Sequence, residues 1–465
     1  MHKFSSFLLR VRDRVRLPLI VVGALVVLLS LVRWGGAART GPVFVAGVVL
    51  LTGLILAFAL LTWWLYLSPM PNGRGRTAPR PPEMRQVVAS LVIISGMLFT
   101  TGGFWDEAWH RRYGGFGDDF LWPPHILIYG SIGLIALFAS GGVLLTLHGR
   151  GGIRGRFRSE PLVGLLGLVS LYLVISLPSD ELWHTIYGRD LTAWSLPHLL
   201  LGGGASLVIL IGVAVQLSLA PPHSWRGLGG LSVQELLGIL PIALGTTAIL
   251  QIGTSEWEGI TAIGRRLTAA FWRRPEWLYP VVVVTVALFS GAFALHALRR
   301  AGAATLTAIL VLGFRLALLA GFDAWSPKVR MGFVSQLLLV PPMIALDLWY
   351  ALQLRRSKGM GGLMGGSLLA GSAFLVCGLP IIAGSLVYPR ITAATLPGMV
   401  GAGLAMAVVG GWAGARLGSW VGSLDRRADE AVPINARVLW ISVAMLVGAV
   451  AFLTIFILTA RPPGR

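Results

Sequence analysis

The chain has 465 residues, 55% of them hydrophobic and only 12% charged, with a formal net charge of +19. A composition this apolar excludes an ordinary soluble domain and requires repeated segments long enough to cross a bilayer. The basic residues stand in short loops between apolar runs, as orientation signals do, so nucleic acid is not an expected partner. The single cysteine, Cys377, lies in an apolar run. An intramolecular disulfide framework, Cys-based zinc sites, self-contained iron–sulfur ligation and covalent c-type haem are thereby excluded.

In chain order, a basic start (Lys3, Arg10, Arg12, Arg14, Arg16) leads into an apolar run from Leu17 to Val32, read as an uncleaved first helix, and a second run follows from Val43 to Leu67. Four helical hairpins come next. Their cores are Val87 to Phe104 with Pro124 to Leu147, Leu162 to Leu177 with Leu199 to Leu219, Leu236 to Ile252 with Val281 to Leu298, and Ala304 to Gly321 with Met331 to Leu354. Leu368 to Val387, Leu396 to Ala415 and Val438 to Thr459 complete an all-α polytopic bundle of about thirteen spans, at about 20 residues per span. The chain thus divides into two N-terminal helices (1–85), two hairpins bearing a shared motif (86–225), two degenerate hairpins (226–360) and three C-terminal helices (361–465).

Basic loops at Arg74 to Arg85, Arg150 to Arg158, Arg299 and Arg300, and Arg355 to Lys358 alternate consistently and are expected in the cytoplasm with the N-terminus. The loop with Arg265, Arg266, Arg273 and Arg274 falls on the opposite side, where Glu256, Glu258 and Glu276 are expected to pair with it. The expected location is the cytoplasmic membrane of a bacterium or archaeon, with the loops after the third and fifth helices extracytoplasmic.

Those two loops carry the chemistry. The first reads Trp105-Asp106-Glu107-Ala108-Trp109-His110 and continues through Asp118 and Asp119 to Pro123-Pro124-His125; the second reads Asp180-Glu181-Leu182-Trp183-His184 and continues through Arg189-Asp190 to Pro197-His198. Asp106 and Asp180 are 74 residues apart, as are His110 and His184, and His125 and His198 are 73 apart, the signature of an internal duplication. Four residues separate Asp from the first His, which puts both on one face of a continuing helix. The second His follows a Pro at the start of the returning helix, where the positive end of the helix dipole favours the neutral, ligating imidazole.

Asp106, His110 and His125, and Asp180, His184 and His198, are therefore candidate metal ligands. The nitrogen and oxygen donors suit copper, zinc or non-haem iron better than magnesium or calcium. Asp119 and Asp190 are candidate hydrogen-bond partners of the ligating His residues, or fourth ligands. Trp109, Trp122, Trp183 and Trp194 read as interfacial anchors. The competing reading makes these residues ordinary interface decoration, with the Asp residues capping helices or pairing with Arg111, Arg112 and Arg189. The third hairpin has Ser255-Glu256-Trp257-Glu258 and Trp277-Leu278-Tyr279-Pro280-Val281, with Val281 where the second His would stand, and the fourth has Asp323-Ala324-Trp325 before Pro341-Pro342-Met343.

The segment Asp180-x-x-Trp183-His184, Arg189-Asp190, Pro197-His198 resembles the metal-binding segment of the C subunit of copper membrane monooxygenases, the particulate methane and ammonia monooxygenases. The resemblance covers about twenty residues per copy and implies copper ligation by Asp180, His184 and His198, with Asp106, His110 and His125 as their duplicates. It further implies an oxidoreductase subunit that works with companion membrane subunits. This chain departs from the pattern in carrying two motifs, more spans and a first copy without the Arg-Asp pair.

Within the spans, Arg315 and Asp347 are costly charges that must pair or line a cavity, with one another if the helix of Asp347 starts near Pro341. His296 reads as an interface residue near a helix end, and the glycine-rich runs Gly361 to Gly371 and Gly398 to Gly414 as close helix packing. Three functions follow: a copper-dependent, monooxygenase-like subunit with an unidentified small-molecule substrate; a transporter or metal-delivery protein, as repeated hairpins suggest; and a structural subunit with vestigial sites.

Overall fold

The computed structural model of the chain describes residues 82–113, 121–148, 152–187, 196–218, 233–263, 275–322, 331–354, 361–385, 391–423 and 436–460, with parts of 53–67. The described residues form helices and no strands. Within a bilayer this is expected, because a helix satisfies its backbone polar groups internally and an open strand does not.

After a π-helical turn at Trp63–Leu67, the elements are α1 (Pro82–Tyr113), α2 (Pro123–Leu147), α3 (Ile153–Ser159), α4 (Pro161–Tyr187), α5 (Leu196–Ser218), α6 (Val233–Ile263) and α7 (Leu278–Leu298). They continue with α8 (Ala303–Gly321), α9 (Val334–Leu337), α10 (Val340–Leu354), α11 (Gly361–Gly384), α12 (Leu396–Val421) and α13 (Ala436–Thr459). Nine stretches among the described residues are long and apolar enough to cross a membrane, and α4 and α13 contribute the shorter apolar stretches Pro161–Val174 and Ala444–Thr459. Of the expected first two spans, the first lies outside the described residues and the second is described only in part.

Each expected hairpin pairs in space: α1 with α2, α4 with α5, α6 with α7, and α8 with α10. One apolar core, including Val92, Ile132, Leu166, Val208 and Ile239, joins α1, α2, α4, α5 and α6. A second, including Tyr279, Val283, Leu339, Phe374 and Ala407, joins α6 and α7 to α8, α10, α11 and α12. The tightest crossing is α7 on α12. A Cβ on Gly414 would stand 2.1 Å from the Phe289 carbonyl oxygen, and one on Gly418 would stand 2.5 Å from that of Phe293, so only glycine admits this approach.

Several local expectations are corrected. The basic loop after α2 is partly helical: in α3, Arg158 Nε donates to the Leu65 carbonyl at 2.9 Å, Arg154 lies over the Trp64 ring, and Phe157 packs with Leu65 and Leu168. Arg300 is not a free loop charge, because its Nη1 donates to both carboxylate oxygens of the buried Glu235 at 2.7 Å. Arg315 and Asp347 do not pair. Asp347 accepts from the backbone N–H groups of Gly302 and Thr305, capping the start of α8 from a neighbouring helix, whereas Arg315 lies farther along α8 and donates to the Gly332 carbonyl. The His296 ring, near the end of α7, contacts Ser419 Oγ and Tyr350 Oη, tying α7 to α12 and α10.

Candidate metal centre

The first motif is assembled where α1 runs on past its apolar stretch. Its helical course through Tyr113 places Asp106 and His110 one turn apart on one face. The returning helix α2 opens on Pro123 and Pro124, which favour a helix start, and His125 is its third residue. What brings His125 to Asp106 is the closeness of α1 and α2 beside them. Gly102, one turn before Asp106, faces Ile128, and a Cβ there would lie 2.9 Å from Ile128 Cγ1 and 3.3 Å from its backbone nitrogen.

The three side chains converge. Asp106 Oδ1 lies 2.9 Å from His125 Nε2 and 3.3 Å from His110 Nε2. One ligand atom from each residue lies within 4.8 Å of the others, making a group able to hold a metal ion. Bonds of about 2.0–2.2 Å from one ion to imidazole nitrogen and carboxylate oxygen separate neighbouring donors by about 3.3 to 3.6 Å in tetrahedral geometry, which the His110 separation matches, while His125 stands at direct contact distance from the carboxylate and would move outward slightly to admit an ion. Asp106 Oδ1 is also shut off from solvent without an aligned hydrogen bond. Two imidazole nitrogens thus approach one buried carboxylate oxygen, an arrangement that a shared cation would tie together.

Aromatic rings fix the imidazoles. His110 stacks on Trp122 at 5.2 Å between centroids and 25° between planes, and His125 lies 5.7 Å from Tyr129. Trp109 and Trp122 are not interfacial anchors: both are buried and meet edge to face at 5.9 Å. Behind them Trp105, 1% exposed, packs on Phe322, just past the end of α8, and on Phe456 of α13, so both elements brace the end of α1. This aromatic wall was not legible as such, since Trp beside a span also suits the bilayer interface.

The ordinary ion-pair alternative is corrected too. Arg111 pairs with Glu107, one turn away on the same helix, and leaves Asp106 to the histidines. Asp106 is near the C-terminal end of α1, where it cannot act as an N-cap.

In the second motif, α4 continues through Tyr187 and so carries Asp180 and His184 one turn apart, while His198 is the third residue of α5, half-buried. The side chains of Asp180, His184, Trp183 and Trp194, and all of Asp119 and Asp190, lie outside the described residues. In the third hairpin the loop arginines Arg265, Arg266, Arg273 and Arg274 lie outside the described residues, and Glu258 has partners of its own. It is buried and accepts from Tyr279 Oη at 2.9 Å and from the Ser335 backbone N–H at 2.7 Å. Asp323 to Trp325 of the fourth lie outside the described residues.

No protein family, curated protein or solved structure matches this chain.

Proposed function

We propose that this membrane protein binds a transition metal ion through Asp106, His110 and His125, and a second ion through Asp180, His184 and His198. The observation that carries the reading is the convergence of one buried carboxylate oxygen and two imidazole nitrogens, from Asp106, His110 and His125, on one another. Copper is the preferred ion, on the resemblance of the motif to the C subunit of the membrane monooxygenases; zinc and iron suit the same donors. An ion with three protein ligands and an open position supplies Lewis-acid or redox chemistry to a small molecule. The protein's own part is to hold the donors neutral or anionic and correctly spaced, and to wall one side with Trp105, Trp109 and Trp122. The alternation of basic loops supports an extracytoplasmic position for the centre, and the resemblance of the motif supports a role beside companion membrane subunits.

A second reading, metal delivery or transport, draws support from the buried polar residues Thr254, Glu258, Ser335 and Arg315 among the neighbouring helices. The deciding experiment is metal analysis of the purified protein beside Asp106→Ala/His110→Ala and Asp180→Ala/His184→Ala variants. Each double variant is expected to lose the metal of its own motif and to keep that of the other. Unchanged metal in both would refute the sites. With metal lost, oxygen consumption with quinol and hydrocarbon substrates tests the oxygenase reading, and vesicle uptake tests transport.

A further inference from the structure

A second face of α1 points away from the three ligands and into the bundle. Glu107 and Arg111 pair along it, and across from them stands Arg315 of α8, 3% exposed in an otherwise apolar helix. The Arg315 guanidinium carbon lies 4.3 Å from the centre of the Phe104 ring, and its Nε donates to the Gly332 carbonyl at 2.8 Å. Among the described residues the charges that act on it are those of Glu107 and Arg111 on α1 and Glu258 on α6. Among the described residues, Arg315 Nη1 and Glu107 Oε2 are both buried without a hydrogen-bond partner. Glu258 is immobilised through Oε1 by Tyr279 and Ser335, and Ser335 Oγ is 3.1 Å from Thr254 Oγ1.

A guanidinium and a carboxylate with unused valences cannot both be left dry inside a bundle that spans a bilayer. The chemistry of what joins them is restrictive. It must accept a hydrogen bond from Arg315 and donate one to Glu107. A metal cation cannot do the first, and a simple anion cannot do the second. A small protic molecule does both, and water is the smallest. We propose that Arg315, Glu107 and Glu258 form a buried hydration site, distinct from the metal group and next to it along α1. It stands whether or not the metal reading holds. Its consequence is that protic solvent reaches the interior of the bundle one residue from Asp106.

Radiolytic labelling tests this, because hydroxyl radicals made from water held inside a protein mark the side chains that touch it. The full-length protein in lipid nanodiscs is pulsed in oxygen-18 water and the label on each Phe is quantified. Phe104 is expected to take up several-fold more label than Phe293 and Phe374, which are equally buried but lie in apolar cores. Arg315→Met is expected to bring Phe104 down to their level, with Glu107→Leu as the second variant should the first not fold. Equal labelling of Phe104, Phe293 and Phe374 in the unaltered protein overturns the site, as does high Phe104 labelling that persists without Arg315 or Glu107.

Discussion

One carboxylate oxygen, Asp106 Oδ1, receives both His110 and His125, and the rings around the two imidazoles limit where their nitrogens can point. Trp122→Leu removes the surface against which His110 is stacked, without touching a ligand. Metal affinity measured by competition with a chelator is expected to fall about tenfold, as for other residues that orient ligands. Elsewhere the buried polar groups are structural and separable by mutation. Tyr279→Phe removes the hydroxyl that donates to Glu258 and should lower stability by about 1.5–3 kcal/mol, read as a lower thermal unfolding temperature with metal content unchanged. Arg300→Met leaves Glu235 buried and uncompensated, costing about 3–5 kcal/mol; adding Glu235→Leu should restore much of the loss.

At the scale of elements, two glycine contacts decide how helices meet. Gly414→Leu drives a side chain into the backbone of α7 at Phe289 and is expected to abolish recovery of folded protein, whereas Gly401→Ala, whose Cβ meets nothing within 4 Å, should be neutral. Gly102→Val acts on the site instead: by pushing α2 off α1 it should weaken metal binding while the detergent-solubilised protein remains folded. Much of this level was legible in the sequence. Most of the apolar runs that lie among the described residues fall inside observed helices, Met331 to Leu354 being divided and Leu368 to Val387 running past the end of α11, and the four-residue spacing of Asp106 and His110 did put them on one face, because helical periodicity is a local property. Contacts between helices were not legible. Nothing local says that Trp109 faces inward, that Arg300 finds Glu235, or that Asp347 of α10 caps the start of α8 away from Arg315, since each depends on which helix lies beside which. The break between α9 and α10 at Leu338 and Leu339 was hidden for a related reason, an unbroken apolar run being compatible with either one helix or two.

For the whole molecule, the nine apolar stretches carry large side chains on their outer surfaces, such as Leu137, Val376 and Trp412, and a bilayer is the solvent that such a surface requires. Cys377 is exposed on α11 beside Val376, within one of those stretches, and so reports on that solvent. In liposomes it should resist a charged maleimide added to both sides, because maleimides add to thiolate and a thiol in hydrocarbon stays protonated, and react once the protein is denatured in detergent; reaction in the intact liposomes would place α11 in water. The central claim is that Asp106, His110 and His125 hold a metal ion as a unit. Its most direct measurement is the metal content of the Asp180→Ala/His184→Ala protein with and without His125→Ala, which isolates the first motif from the second. Bound metal retained in the former and lost in the latter is the predicted result, and the same metal content in both would contradict it.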